Sequence, residues 1–124
     1  TWLVALLNAA QTLVTNGVST PEDVDRTYLK VNAGASMGPM AMCDMIGMKT
    51  VFDVLSHWGQ ASKDSQMCAN ADYLKTNFLD QDLTGIQTGR GYYRYPDPTY
   101  QQPGFLAVPP LARVEQIVEL ATLN

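Results

Sequence analysis

The sequence predicts an all-α fold, a single domain of five or six helices, and three observations lead to this prediction. Apolar residues recur at intervals of three and four in several separate segments, which is the spacing of helices that bury one stripe. Threonine, proline and glycine, which favour the starts and ends of helices, lie between those segments. No segment shows the alternation of apolar and polar residues that predicts a strand.

The first two helices have the clearest signals. The first is predicted to end at Asn16-Gly17, because glycine adopts the left-handed conformation that a helix C-terminus often needs. Thr20 can cap the second helix and Pro21 suits its first turn, where carboxylates at residues 22–23 face the positive end of the helix dipole. The apolar positions of the two helices are Leu3, Leu6, Leu7, Ala10, Leu13 and Val14, then Val24, Tyr28 and Val31.

Three further helices are predicted after a glycine-containing interruption at residues 34–38. Pro39 begins a short helix that Gly47 ends, and Thr50 is placed to cap the next one. The inward face of that next helix is predicted to comprise Val51, Val54, Leu55 and Trp58. Another helix is predicted over about residues 67–79.

The composition of the chain changes at Asp80. Three glycines within residues 85–91, followed by several prolines, predict turns and an extended tether. A last amphipathic helix is predicted over residues 111–121. The sequence therefore predicts a helical unit over residues 1–96, and a proline-rich tether with a C-terminal helix over residues 97–124. That helix is expected either to pack on the unit or to form part of an interface.

Charge and composition exclude several classes of partner. Eight Lys and Arg against twelve Asp and Glu give a net charge of −4 without a basic cluster, so nucleic acid is not an expected partner. No apolar run approaches the roughly twenty residues that span a membrane, and a cytoplasmic location is expected. Cys43 and Cys68 lack the spacing of a metal site and are expected to be free thiols. The chain opens in the middle of a helical pattern, as a piece of a longer polypeptide would.

Few residues offer catalytic chemistry. The single histidine, His57, is interpreted as a surface residue that pairs at most with Asp53, four positions earlier. The glycines at 89 and 91 lack the third glycine of a dinucleotide fingerprint, because Arg94 stands there, and no apolar strand precedes them. They are predicted to form a turn. The sequence therefore predicts no catalytic, cofactor-binding or metal-binding residue within the chain itself.

Methionines are concentrated in one short segment. The five members of this group are Met37, Met40, Met42, Met45 and Met48. Flexible thioethers fill irregular gaps and adapt to apolar ligands. Two interpretations follow: a soft helix core, or one wall of a pocket for an acyl chain or a partner helix.

Three blocks carry a resemblance to a known family. They are NGVSTPEDVD at residues 16–25, MGPMAMCDMIGMKT at residues 37–50 and TGRGYYRY at residues 88–95. In order and spacing they resemble the C-terminal domain of the 3-hydroxyacyl-CoA dehydrogenase family, which includes 3-hydroxybutyryl-CoA dehydrogenases. The resemblance covers residues 1–95 and implies a helical fold like the C-terminal domain of 6-phosphogluconate dehydrogenase. Met40 and Gln87 depart from the Phe and Lys that the family often has.

The resemblance also implies which role each domain of the enzyme has. In the family an N-terminal Rossmann domain, absent from this chain, binds NAD and supplies a His–Glu pair and a serine. An active-site Asn is expected immediately before Thr1. The C-terminal helices form the homodimer interface and close the acyl-CoA cleft. Carried over to this sequence, Ser36, Met37, Pro39 and Met42 are expected to border the acyl end of the substrate.

The expected function follows from this division. The parent protein is expected to oxidise (3S)-3-hydroxyacyl-CoA to 3-oxoacyl-CoA with NAD in fatty-acid metabolism, whereas this chain alone is expected to be inactive and to bind no cofactor. One alternative is a relative similar to L-gulonate dehydrogenase or lambda-crystallin; the methionines favour an apolar acyl group over a polyol. A second alternative is a non-catalytic helical dimerisation module.

Overall fold

A computed structural model defines the fold over residues 2–107, which form five α-helices. The helices are α1 (Trp2–Thr15), α2 (Pro21–Val31), α3 (Pro39–Ile46), α4 (Met48–Ser62) and α5 (Ser65–Asn77). Three single 3-10 turns follow, at Leu79–Gln81, Ile86–Thr88 and Thr99–Gln101. The all-helical prediction is confirmed: between residues 2 and 107 the only β-type pairing is two isolated bridges in the turn around Arg90. The helix predicted over residues 111–121 lies outside the described residues.

The helices pack around one core. α4 lies along α5, α1 packs against α5 and α3, and α2 packs mainly against α3. Two methionines of the methionine-rich segment, Met40 and Met48, are fully buried, while Met45 is 56% exposed. Met40 and Met48 therefore fit the interpretation as a soft helix core. Met37 and Met42, which are half-buried against the core, are compatible with the interpretation as a pocket wall. None of the helices in the described part of the chain is long and apolar enough to cross a membrane.

α2 begins where its local signals predict. Thr20 is its N-cap and accepts a hydrogen bond from the backbone N–H of Asp23 at 3.1 Å, with Pro21 as the first helical residue. Val24 is buried as predicted, but Val31 is 77% exposed and was wrongly placed on the apolar line. The buried position near that end belongs instead to Leu29.

Two predictions about α4 were wrong. The helix begins at Met48, with Gly47 as its N-cap, and not after Thr50. The backbone N–H of Met48 donates to the carbonyl oxygen of Thr84 at 2.9 Å, so a distant turn satisfies the group that a cap would otherwise serve. Trp58 was predicted to face inward and is 54% exposed. α5 also starts earlier than predicted, because Asp64 caps it by accepting from the N–H of Met67 at 3.0 Å.

Residues 98–105 complete the core on the outer side of α2. Pro98, Tyr100 and Phe105 are buried. The Tyr100 ring lies edge-on to the Tyr93 ring, with centroids 4.8 Å apart, and the Arg26 guanidinium lies 4.5 Å from the centroid of Phe105. The chain beyond the helices is thus packed against α2 at least as far as Phe105.

Candidate functional site

Asp25 is a fully buried carboxylate that joins α2 to the start of α3. Its Oδ1 accepts from the backbone N–H of Met40 at 2.8 Å, and its Oδ2 accepts from the N–H of Ala41 at 2.9 Å. The hydroxyl of Tyr93 also donates to Oδ2, at 2.8 Å. One carboxylate therefore binds two amides of α3 and one tyrosine of the turn that follows α5.

Asp44 is a second buried carboxylate, one helical turn further along α3. Its Oδ1 accepts from the N–H of Tyr92 at 2.7 Å, and its Oδ2 accepts from the N–H of Tyr93 at 3.0 Å. The hydroxyl of Tyr95 donates to Oδ2 at 2.8 Å. The tyrosine-rich turn at residues 89–95 is thus fastened to both carboxylates.

Glycines make these close approaches possible. A Cβ at Gly38 would lie 2.6 Å from Cα of Asp25, and a Cβ at Gly91 would overlap the carboxylate of Asp44. Gly85 and Gly89 have φ of 120° and 79°, conformations that glycine adopts without strain. The predicted turn is therefore present. Gly91 lies against the carboxyl group of Asp44, which leaves no room for a pyrophosphate at that glycine.

Burial sets the protonation of this region. Burial raises the pKa of Asp25 to about 6, against the opposing effect of its hydrogen bonds from Met40, Tyr93 and Ala41. Burial also raises the pKa of Asp44, with the bonds from Tyr92, Tyr93 and Tyr95 acting in the opposite direction. Since the hydrogen bonds all come from groups inside the fold, these carboxylates act as structural acceptors.

An apolar groove lies at the N-terminal end of α1, where it meets α3 and α4. The groove encloses a cavity of about 190 Å³. We call it the α1–α4 groove, and its lining residues are Leu3, Val4, Leu7, Ile46, Thr50, Val51, Val54 and Leu55. A shallower cleft continues it past Val4 to Trp58 and Met67. This contiguous apolar surface can bind another apolar surface or chain.

The predicted acyl-site residues lie around the start of α3, outside the groove lining. Ser36 is exposed, Met37 and Met42 are half-buried, and Pro39 is less than 2% exposed. Pro39 therefore offers no surface to a ligand in this chain. Met42 lies one helical turn before Ile46, which does line the groove. Sequence reasoning missed the groove because its walls come from three helices, although the Met42–Ile46 spacing was visible.

The remaining candidate groups are not assembled into a reactive site. His57 is exposed, with its ring edge-on to Trp58 at a centroid distance of 5.4 Å. This confirms the interpretation of His57 as a surface residue, and Asp53, its one possible partner in the sequence, pairs with Lys49 at 2.6 Å. Cys43 and Cys68 are free thiols, and burial raises the pKa of Cys43. Residues 2–107 contain no group of three side chains placed to hold a metal ion.

Comparison with known proteins identifies the family to which this chain is similar. The family model described as 3-hydroxyacyl-CoA dehydrogenase, C-terminal domain, matches residues 1–95. The mitochondrial hydroxyacyl-coenzyme A dehydrogenase of Mus musculus is 31% identical over 93 residues, which cover 75% of this chain and 29% of the relative. A probable 3-hydroxybutyryl-CoA dehydrogenase of Bacillus subtilis is 31% identical over 100 residues, covering 78% of this chain and 33% of the relative.

Solved structures agree with this match. A diketoreductase with dual catalysis of dicarbonyl compounds superposes with a TM-score of 0.66 and 35% identity, covering 75% of this chain and 31% of that one. The (S)-3-hydroxybutyryl-CoA dehydrogenase of Ralstonia eutropha gives a TM-score of 0.62 and 27% identity, covering 77% of this chain and 32% of that one.

The fold and these matches define a class first: the helical C-terminal domain of a group of oxidoreductases. The chain belongs to the 3-hydroxyacyl-CoA dehydrogenase family, matching its C-terminal domain. It spans about a third of the length of the curated relatives that it matches.

Proposed function

We propose that this chain is the substrate-cleft and dimerisation domain of an NAD-dependent enzyme that oxidises (3S)-3-hydroxyacyl-CoA to 3-oxoacyl-CoA. The observation that carries the proposal is the fixed start of α3, where Asp25 holds two amides while the half-buried Met37 and Met42 remain available to an apolar group. Relatives named as hydroxyacyl-CoA and hydroxybutyryl-CoA dehydrogenases support an acyl-CoA substrate.

The cofactor is assigned to another part of the complete polypeptide. The glycine turn at residues 89–91 does not fit a dinucleotide, because Gly91 lies against the carboxylate of Asp44 and a short 3-10 turn precedes it in place of a strand. The role proposed for this chain is to bind and orient the acyl group. The isolated chain is accordingly expected to show no dehydrogenase activity.

Turnover by the complete polypeptide tests the substrate class. We expect oxidation of NADH with acetoacetyl-CoA and little or no oxidation of L-gulonate with NAD, because the side chains at the start of α3 are apolar. Efficient turnover of L-gulonate alone would favour the polyol relative. Absence of turnover with both substrates would leave the non-catalytic module as the better explanation.

Met42 provides a sharper test of the acyl site. Met42→Gln is expected to lower kcat/KM for the acyl-CoA about tenfold, equivalent to about 1.4 kcal/mol, because it places an amide where an apolar chain would lie. Met45→Gln is the matched control, since Met45 is on the same helix but 56% exposed. An equal effect of both substitutions would argue against an acyl site at Met42.

The dimer is proposed to form through the α1–α4 groove, with a second copy of the chain covering it. The groove is apolar and its lining residue Leu3 is 36% exposed, while Trp58 in the adjoining cleft is 54% exposed. Val54→Asp is expected to shift the complete polypeptide from dimer to monomer in sedimentation equilibrium. Val31→Asp, at a site 77% exposed on α2 and outside the groove, is the control. A dimer that survives Val54→Asp would place the interface elsewhere.

A further inference from the structure

The start of α3 is capped by a side chain from another helix. Its N-cap residue is Gly38, which has no side chain, and Pro39 has no N–H to offer. The next two amides, of Met40 and Ala41, are buried and both donate to the carboxylate of Asp25 on α2. Buried amides without an acceptor cost free energy, so an eight-residue helix with these two amides depends on that carboxylate for its position.

Tyr93 ties the same carboxylate to the turn after α5. Its hydroxyl donates to Asp25 Oδ2 at 2.8 Å, while its backbone N–H donates to Asp44 Oδ2 at 3.0 Å. Asp44 belongs to the second turn of α3. Tyr93 therefore contacts α3 at Asp44 and, through Asp25, also its first turn. The Tyr93 hydroxyl, 68 positions from Asp25 in sequence, is therefore bonded to the carboxylate that caps α3.

We propose that Asp25 and Tyr93 are positioning residues that fix residues 37–42 for binding of the acyl group. The proposal rests on the proposed function, because the acyl group is what those residues would bind. Asp25 and Tyr93 do not touch the substrate in this arrangement. They act through the N-terminal amides of α3, which hold Met42 in place and define the position of Met37 just before the helix.

Loss of this support should affect binding more than chemistry. A binding segment that is already in place loses little conformational entropy when its ligand arrives, whereas a loosened one must be ordered by the ligand. Tyr93→Phe removes one bond to the capping carboxylate and leaves the apolar ring in place. We therefore expect KM for the acyl-CoA to rise about threefold or more, with kcat changed much less.

Tyr92→Phe is the matched control in the complete polypeptide. The Tyr92 hydroxyl donates to Gln11 of α1, so its removal breaks a partly buried hydroxyl bond but leaves the cap of α3 intact. Both variants are expected to lose a similar amount of stability in urea unfolding. Only Tyr93→Phe is expected to raise KM. Equal KM values for the two variants, or KM changes that follow the loss of stability in both, would overturn the proposal.

Amide hydrogen exchange gives a second readout that does not need turnover. Exchange at Met40 and Ala41 is expected to be faster in Tyr93→Phe than in Tyr92→Phe, because only the first variant removes a bond that holds their acceptor carboxylate in position. Identical exchange at these two amides would overturn the positioning role even if activity changed. If the wild-type polypeptide turns over no acyl-CoA, the proposed function fails, and exchange then decides separately whether Tyr93 fixes α3.

Discussion

At the scale of single residues, Asp25 and Asp44 each place a carboxylate in the core among amide and hydroxyl donors. The ion pairs of residues 2–107 involve neither of them. Asp25 belongs to a block that the sequence marked as a helix start, yet its partners lie 15, 16 and 68 positions away. Periodicity and capping rules act over a few residues, so the block was predicted and the partnership was not.

The pH dependence of folding is predicted from Asp25. Its pKa is 3.8 as the ordinary value and about 6 in the folded chain. Between pH 3.8 and about 6 the folded chain therefore keeps a proton on Asp25 that the unfolded chain has released. The stabilisation that this proton provides is complete below about pH 4 and is lost as the pH rises through about 6. Relative to Asp25→Asn, the free energy of unfolding should fall by up to about 3 kcal/mol across this window.

Urea unfolding of wild type and Asp25→Asn at a series of pH values measures this difference. The variant should be less stable throughout, because asparagine offers one acceptor oxygen to two backbone N–H groups. The prediction concerns how the difference in the free energy of unfolding between wild type and Asp25→Asn changes with pH. Parallel curves for the two proteins would show that Asp25 does not titrate in this window.

Gly38 is predicted to tolerate no side chain. Gly38→Ala would place a Cβ 2.6 Å from Cα of Asp25, and backbone cannot move aside as a flexible side chain can. We expect a loss of about 3 kcal/mol or more in the free energy of unfolding. Gly17→Ala is the comparison: φ is 68° there but nothing lies within 4 Å, so strain alone should cost about 1 kcal/mol. Similar losses of stability in Gly38→Ala and Gly17→Ala would contradict the predicted steric clash with Asp25.

At the scale of elements, a helix start that depends on a neighbouring residue was predicted correctly, whereas one that depends on a distant residue was not. α2 starts at Pro21 because Thr20 caps it from the adjacent position. α4 starts at Met48 because the carbonyl of Thr84, far along the chain, accepts from its first amide. Trp58 follows the apolar spacing of α4 but lies beside the exposed cleft that also contains Val4 and Met67. Amphipathic spacing shows which face is apolar, not whether the same chain covers it.

The contact between α1 and α5 depends on a buried asparagine. Asn70 is fully buried, and its Nδ2 donates to Asn8 Oδ1 at 2.9 Å and to Thr12 Oγ1 at 3.0 Å. Asn70→Ala would leave those acceptors without a donor in the helix interface. We expect the free energy of unfolding to fall by about 2–3 kcal/mol.

Asn77→Ala is the control for this prediction. Asn77 ends the same helix and is exposed, and among residues 2–107 its side chain bonds only to the backbone oxygen of Tyr73. Its removal should change stability by less than about 0.5 kcal/mol. Thermal unfolding of both variants makes the comparison, and equal shifts in Tm would mean that the α1–α5 contact does not depend on Asn70.

At the scale of the whole molecule, buried residues of the described chain continue past the end of the family match. The family model ends at residue 95, whereas Pro98, Tyr100 and Phe105 are buried against α2 and Tyr93. The sequence predicted a tether here from its prolines and glycines. Composition shows that a segment lacks regular structure but cannot show that its aromatic side chains complete a core.

Truncation tests this difference. A chain ended after residue 96 is expected to lose about 4 kcal/mol of stability relative to one ended after residue 107, because burial of Tyr100 and Phe105 contributes roughly 1.5–3 kcal/mol each. Chemical denaturation of the two truncated chains measures the loss. Equal stability would show that residues 97–107 lie on the surface of a core that is complete without them.

The two buried carboxylates also determine how the protein should respond to ionic strength. Dissolved ions screen charges at the surface, and the four ion pairs of residues 2–107 are partly or largely exposed there. The carboxyl groups of Asp25 and Asp44 instead accept hydrogen bonds from N–H and O–H groups in the core, where dissolved ions do not reach. The interior electrostatics of this domain should therefore be nearly the same in dilute buffer and in concentrated brine.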